Sequence, residues 1–174
     1  VLSAGVGAAG NLKTARGLLP KGKPGQGNFS GGRSFEFDPR TNNYRDLETG
    51  RFIKQADMWD AVDGPPGGFT PGSQNTVRAQ TGEQFDRVLT SSKSGRTMGG
   101  VGDDISQRGL PAGTEQMSYE RYQVRKPFDV VSGEVAPVAE FGASGGGRQF
   151  RDAQGRTTET LVRDGYLSII EVCE

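Results

Sequence analysis

The sequence predicts a β-rich α+β domain of short strands with few helices, carried behind a glycine-rich, partly helical arm. Three observations predict it. Runs of β-branched and aromatic residues in strand-like patterns, such as Tyr119–Val124 and 166–172, are gathered in the second half of the chain. Stretches rich in Gly, Ser and Pro separate them at short intervals. Hydrophobic residues make up only 32% of the 174, while the 28 glycines are about twice the usual share, so the apolar material must be concentrated in part of the chain.

Taken in order, residues 1–50 read as an arm or linker. The run 19–27, followed by Ser30-Gly31-Gly32, sustains neither a helix nor a central strand. Residues 34–37 are expected as a short strand with Phe35 and Phe37 on one face. Residues 51–62 place Phe52, Ala56, Trp59 and Val62 on one helical stripe, ended by Gly64-Pro65-Pro66. This helix is expected to pack Trp59 on the main domain, the alternative being a partner-binding helix. Glycine and proline between 64 and 72 form a second hinge, which sets a boundary between an arm, 1–75, and a main domain, 76–174.

Within the main domain, 84–89 is expected as a strand and 91–104 as a loop. Tyr119–Val124 and 128–131 are expected as strands on either side of Arg125-Lys126-Pro127. Residues 129–135 read as a hairpin with Ser132-Gly133 at its turn. Residues 157–163 read as a short helix, with threonines at its start and Gly165 just past its end. A final strand runs over 166–172.

Composition excludes several chemistries. Twenty-one basic and twenty-one acidic residues cancel, which gives no reason to expect nucleic acid or an anionic membrane as partner. With Cys173 the one cysteine and no histidine, a disulfide within the chain, a structural zinc site and a Ser–His or Cys–His relay are all excluded. No run approaches the roughly 18 apolar residues of a membrane span. A first residue that is not Met reads as a fragment of something longer or a processed form.

One stretch concentrates the chemical interest. Residues 134–141 alternate like a strand, and Gly145-Gly146-Gly147-Arg148-Gln149-Phe150 follows closely. Glycines without Cβ let the backbone take positive φ and approach another group closely, so a glycine hinge between a strand and Gln149 describes an amide aimed into a cleft. Upstream stand Phe85-Asp86-Arg87, Gly95-Arg96-Thr97, Gln107-Arg108-Gly109-Leu110-Pro111 and the run from Tyr119 to Pro127; downstream stands Gly165-Tyr166-Leu167.

This series resembles the tuberculosis-necrotizing-toxin (TNT) family of NAD glycohydrolases over roughly residues 83–172. Family members carry, in the same order, a "DR" strand, a "GRF" loop, a "QRxLP" turn, a "YxRYxVxKP" strand, an "APxFGxxGGGxQY" segment and a final "GYL". The resemblance implies a small β-rich core of two sheets, related in outline to ADP-ribosyltransferases. It implies a toxin domain at the end of a larger secreted or cell-surface protein, acting in the target-cell cytosol to hydrolyse NAD⁺, and NADP⁺, to nicotinamide and ADP-ribose. NAD⁺ is then a substrate and no cofactor is needed. A cognate immunity protein is the implied partner, with no nucleic acid, no stable membrane insertion and a monomeric state.

On this resemblance Gln149 sits at the reacting ribose, and Arg96 is grouped with it as a catalytic candidate. Arg96 and Arg108 are expected to bind the diphosphate, since a guanidinium presents a planar fork to phosphate oxygens. Tyr119, Gly146, Gly147 and Phe150 complete the candidate substrate-binding set, with Tyr119 and Phe150 also core-packing residues; no metal ligands are assigned. Two departures stand out: the chain lacks the histidine that some members place beside the glutamine, and Thr97 replaces the phenylalanine of "GRF". The alternatives are a mono-ADP-ribosyltransferase, for which no Glu-x-Glu or Gln-x-Glu is found near the catalytic strand, and a non-enzymatic binding module.

Overall fold

The computed structural model describes Phe29 and residues 31–62, 64–90 and 95–173, which form two antiparallel sheets and two short α-helices. The run 19–27 lies outside the described residues.

The smaller sheet is a meander of β1 (Phe35–Asp38), β2 (Asn43–Asp46) and β3 (Phe52–Ile53). Strand alternation puts Phe35 and Phe37 on one face, and both are buried. Tyr44 of β2 meets Phe37 edge-on at 5.5 Å. Together with Met58 they share a core with Ile105, Met117, Tyr119 and Phe141. Backbone bonds from Ser34 N–H to the Glu140 carbonyl and from Phe37 N–H to the Ala112 carbonyl tie the meander to later loops, at 2.7 and 2.8 Å. Residues 35–58 therefore pack into the same core as residues 105–141.

The helix expected over 51–62 is shorter: α1 spans Gln55–Asp60, and Phe52 belongs to β3 and is exposed. Six residues are too few to hold a helix by propensity, so packing holds it. Met58 is its fully buried anchor. Trp59 does pack on the domain, edge-on to Phe141 at 5.4 Å, while keeping 38% of its surface exposed.

The larger sheet contains β4 (Asn75–Ala79), β5 (Gln84–Val88), β6 (Thr97–Gly99), β7 (Tyr119–Val124), β8 (Phe128–Glu134), β9 (Arg148–Asp152) and β10 (Leu167–Cys173), in the order β10-β7-β5-β6-β9-β8-β4. Its second core, around Phe85, Met98, Tyr122, Phe128 and Phe150, is closed by Leu161 of α2 (Thr158–Arg163). As expected, Thr157 caps α2 by accepting from the Thr160 N–H at 3.1 Å, and Gly165 follows with φ +74°.

Three loop and turn assignments are corrected. Ser132-Gly133 is not a turn: β8 runs straight through it, paired with β9 and β4. Gly133 is required there by packing, because a Cβ would lie 2.6 Å from the Phe69 ring. The loop expected over 91–104 contains the short strand β6. The strand expected over 134–141 ends at Glu134, after which Ala139–Phe141 is a 3₁₀ turn.

The large sheet is nearly divided. Strands β5 and β6 share a single residue pair, Asp86 with Gly99, whereas β5 and β7 share five. A cleft lies over this seam, lined from the sheet by residues of β5, β6 and β9.

Candidate active site

The cleft has a volume of about 840 Å³. Its floor comes from the seam strands, with Arg87 and Val88 of β5, β6 residues Thr97, Met98 and Gly99, and Gln149 and Arg151 of β9. One lip is the loop through Gly64, Pro65, Gly67 and Gly68. Trp59, Val62, Leu110 and Val138 give the cleft an apolar side. Five arginines, at positions 87, 96, 108, 148 and 151, line it, and no aspartate or glutamate does among the described residues. In a chain of zero net charge this is a local concentration of positive potential facing flat apolar surface.

Gln149 is brought here by its glycines, which are stitched down rather than free. Gly145 N–H donates to the Ser106 carbonyl at 3.1 Å, Gly146 N–H to Val135 at 2.9 Å and Gly147 N–H to Gln107 at 3.0 Å. A Cβ at Gly145 would lie 2.6 Å from the Val135 carbonyl oxygen, and one at Gly147 would lie 2.7 Å from that of Gln107. Only glycine permits that approach. The chain then enters β9, and the buried Gln149 side chain donates from Nε2 to the Gly67 carbonyl at 2.7 Å. The amide is thus pinned to the lip of the cleft.

Arg96 also lines the cleft and is exposed. Gly95 before it leaves the space that the Arg87 guanidinium fills, which a Cβ would displace. Arg87 in turn donates to Thr158 Oγ1 at 3.3 Å, and burial lowers its pKa.

Arg108 borders the same cleft, but its guanidinium is bonded on three sides. It pairs with Asp86, donates from Nε to the Asp103 carbonyl at 2.8 Å and from Nη2 to the Gly100 carbonyl at 2.9 Å. It occupies the seam beside Gly99, where a Cβ would collide with it. Tyr119 lies behind the wall, donating its hydroxyl to the second Asp86 oxygen at 2.6 Å. Burial and then this bond push the phenol above its ordinary range, so it remains a neutral donor. Arg121 donates to the same hydroxyl from Nη2 at 3.1 Å and pairs with Glu171 of β10 at 2.7 Å. A polar chain therefore runs from the partly exposed Glu171 through buried Arg121, Tyr119 and Asp86 to Arg108.

Phe150 faces away into the second core, 4.6 Å from the Phe85 ring. Gly146 and Gly147 line a smaller hollow of about 380 Å³, with Ser73 and Asn75. Arg148 reaches both hollows, lies over the Phe150 ring at 5.0 Å, and donates from its backbone N–H to Asp103 Oδ2 at 2.7 Å. The structure thus brings Gln149, Arg96 and Arg108 to one cleft and sets Tyr119 and Phe150 behind it. Motif reading passed over Arg148, Arg151, Trp59 and the Gly67-Gly68 lip. The strand period of β9 carries the missing signal for Arg151, which falls on the same face as Gln149.

An arginine-walled cleft with an apolar side and a pinned amide has the chemistry to suit an anionic ligand that also carries flat rings; the class is that of a small β-rich domain with an arginine-lined cleft. Residues 79–170 match the family model for tuberculosis necrotizing toxin, and the chain belongs to that family. Among solved structures it is similar to tuberculosis necrotizing toxin complexed with its immunity factor IFT, with 24% identity, 76% of this chain and 79% of that chain covered, and a TM-score of 0.51. That likeness concerns the fold. A second similar structure is Rhs1-CT in complex with its cognate immunity protein RhsI1, at 12% identity, 58% and 80% coverage and a TM-score of 0.40. A comparison with curated proteins finds no match.

Proposed function

We propose that this chain is a toxin domain that hydrolyses the N-glycosidic bond of NAD⁺, and of NADP⁺. The observation that carries the reading is the placement of Gln149 and Arg96 on a cleft with an apolar side that no described aspartate or glutamate lines, in a chain of the TNT family. The bond between ribose C1′ and the pyridinium nitrogen breaks with its electron pair going to nitrogen, so nicotinamide leaves neutral and needs no strong general acid. Water adds to C1′ and its proton passes to solvent. The protein's task is to hold the dinucleotide and stabilise an oxocarbenium-like transition state. Gln149 orients a ribose hydroxyl or the attacking water, Arg96 holds phosphate, and the apolar side takes a ring. The missing family histidine fits a reaction whose leaving group needs no proton. No cofactor takes part.

A cognate immunity protein is the proposed partner, in line with the complex of the similar tuberculosis necrotizing toxin with its immunity factor. Delivery as part of a larger secreted or surface protein, with action in the target cytosol, belongs to the same reading. The test is incubation of the purified chain with NAD⁺ while free nicotinamide and ADP-ribose are followed. Equal release of both supports hydrolysis. Release only with added protein acceptors overturns it in favour of ADP-ribosyl transfer, and no release removes the enzymatic reading.

A further inference from the structure

Arg151 has no role in the motif pattern. It lies two residues beyond Gln149 on β9, so both side chains leave the same face of the strand, about 7 Å apart along it. Thr97 faces it across the β6–β9 pairing and accepts from Arg151 Nε at 3.1 Å. On its other side the guanidinium lies 5.8 Å from the Phe69 ring centre, and a Cβ at Gly67 would come within 3.1 Å of its Nη1. Nε is therefore held by Thr97 and the group is confined by the lip, while its Nη atoms make no hydrogen bond to a described residue.

Arg96 immediately precedes Thr97 and lines the same wall. Neither Arg96 nor Arg151 has a carboxylate within 4.0 Å among the described residues. Burial, and then the like charge of Arg96, lowers the Arg151 pKa. Their mutual repulsion in the free protein is relieved by a ligand with two or more negative charges. Arg108 is differently employed, with its guanidinium bonded to Asp86 and two carbonyls.

We propose that Arg151 and Arg96 together form the diphosphate clamp of this cleft, with Arg151 receiving the phosphate next to the ribose held at Gln149 and Arg108 acting as the strut beneath. This rests on the dinucleotide reading of the site. The two-residue step along β9 suits it, because a ribose and its own 5′-phosphate are neighbouring groups.

Calorimetric titration of inorganic pyrophosphate into the wild-type chain and into Arg151→Ala, Arg151→Lys and the surface control Arg78→Ala tests it, alongside NAD⁺ turnover. Arg151→Ala should weaken pyrophosphate about tenfold or more and raise KM similarly, with kcat changed by less than about threefold. Arg151→Lys should fall between, since an ammonium keeps the charge and loses the fork. It also serves where the alanine variant does not fold. Arg78→Ala should match wild type. Folded Arg151 variants with unchanged pyrophosphate affinity and KM would overturn the clamp while leaving the hydrolase reading intact. Arg151-dependent pyrophosphate binding in a chain that releases no nicotinamide would keep the clamp and remove the hydrolase reading.

Discussion

Arg108 and Asp86 form an ion pair nearly sealed from solvent: the Asp86 side chain is fully buried and that of Arg108 is 6% exposed. The pair sits where the large sheet is joined by one residue couple, and with the Arg108 bond to the Gly100 carbonyl it ties β5 to the end of β6. Asp86→Asn leaves the Arg108 charge buried without its partner and also weakens the anchor for Tyr119. A stability loss of about 3–5 kcal/mol is expected, read from denaturant midpoints. An unchanged midpoint would show the pair to be dispensable.

Gln149→Ala should lower nicotinamide release by about 10²-fold or more, the size lost with one oriented transition-state contact. Its stability should fall by only about 1 kcal/mol, because one hydrogen bond to Gly67 is lost. Turnover and thermal melting, measured on the same preparation, check the two halves of this expectation. Retained turnover would take Gln149 out of the mechanism.

A boundary between an arm, 1–75, and a main domain, 76–174, implies that the main domain folds without the arm. The packing of Phe37, Tyr44 and Met58 against Ile105 and Phe141 leads to a different expectation. Met58→Ala should destabilise by about 2–5 kcal/mol. A chain starting at residue 76 should show the lost near-ultraviolet circular dichroism and the dye binding of a loosened core. A cooperative melt like that of the whole chain would mean that the later strands close without the meander.

Gly133→Ala should act at a distance. The added methyl drives into the Phe69 ring and shifts the 64–70 loop, whose Gly67 carbonyl holds Gln149. Activity should fall with a smaller loss of stability, and Phe69→Leu in the same chain should restore part of it by removing the ring. Failure of the second substitution to rescue would place the effect in β8 itself.

Asp152 gives the acid limb of stability. Burial acts to raise its pKa, but the side-chain bonds and backbone N–H of Arg156 outweigh burial and leave it below the ordinary carboxylate value. A carboxyl depressed by folding contributes fully above its unfolded pKa of about 3.9 and loses that contribution as pH falls through the folded value. Denaturant midpoints should therefore drop on acidification below about pH 4, and Asp152→Asn should flatten that drop while lowering the neutral-pH plateau.

What was legible in the sequence was whatever a local pattern dictates. The strands β5, β7 and β10 and the capped helix α2 follow from period and capping chemistry, and β1 from the pair Phe35 and Phe37. Strand β9 was hidden because four of its five residues are charged or polar, and a strand that floors a cleft must break the apolar pattern. Gly133 misled for a related reason: it looks like a turn residue locally, and only Phe69, far away in sequence, explains it. Gln149 and Arg96 were legible as motif residues that the fold places in one cleft. The pairing of Arg108 with Asp86, 22 residues apart, and the approach of Arg151 to Arg96 are products of strand order, which no short spacing encodes.

The position of β9 between β6 and β8 has a consequence for how the protein is made. A ribosome delivers the lip loop and Arg96 well before Gln149 and Arg151. The floor of the cleft is absent until β9 slots between two strands already synthesised. A partly translated chain therefore lacks Gln149 and Arg151, and the cleft is completed only with the sheet. On the proposed function, this timing gives the producing cell an interval in which an immunity protein can meet the toxin as it becomes competent.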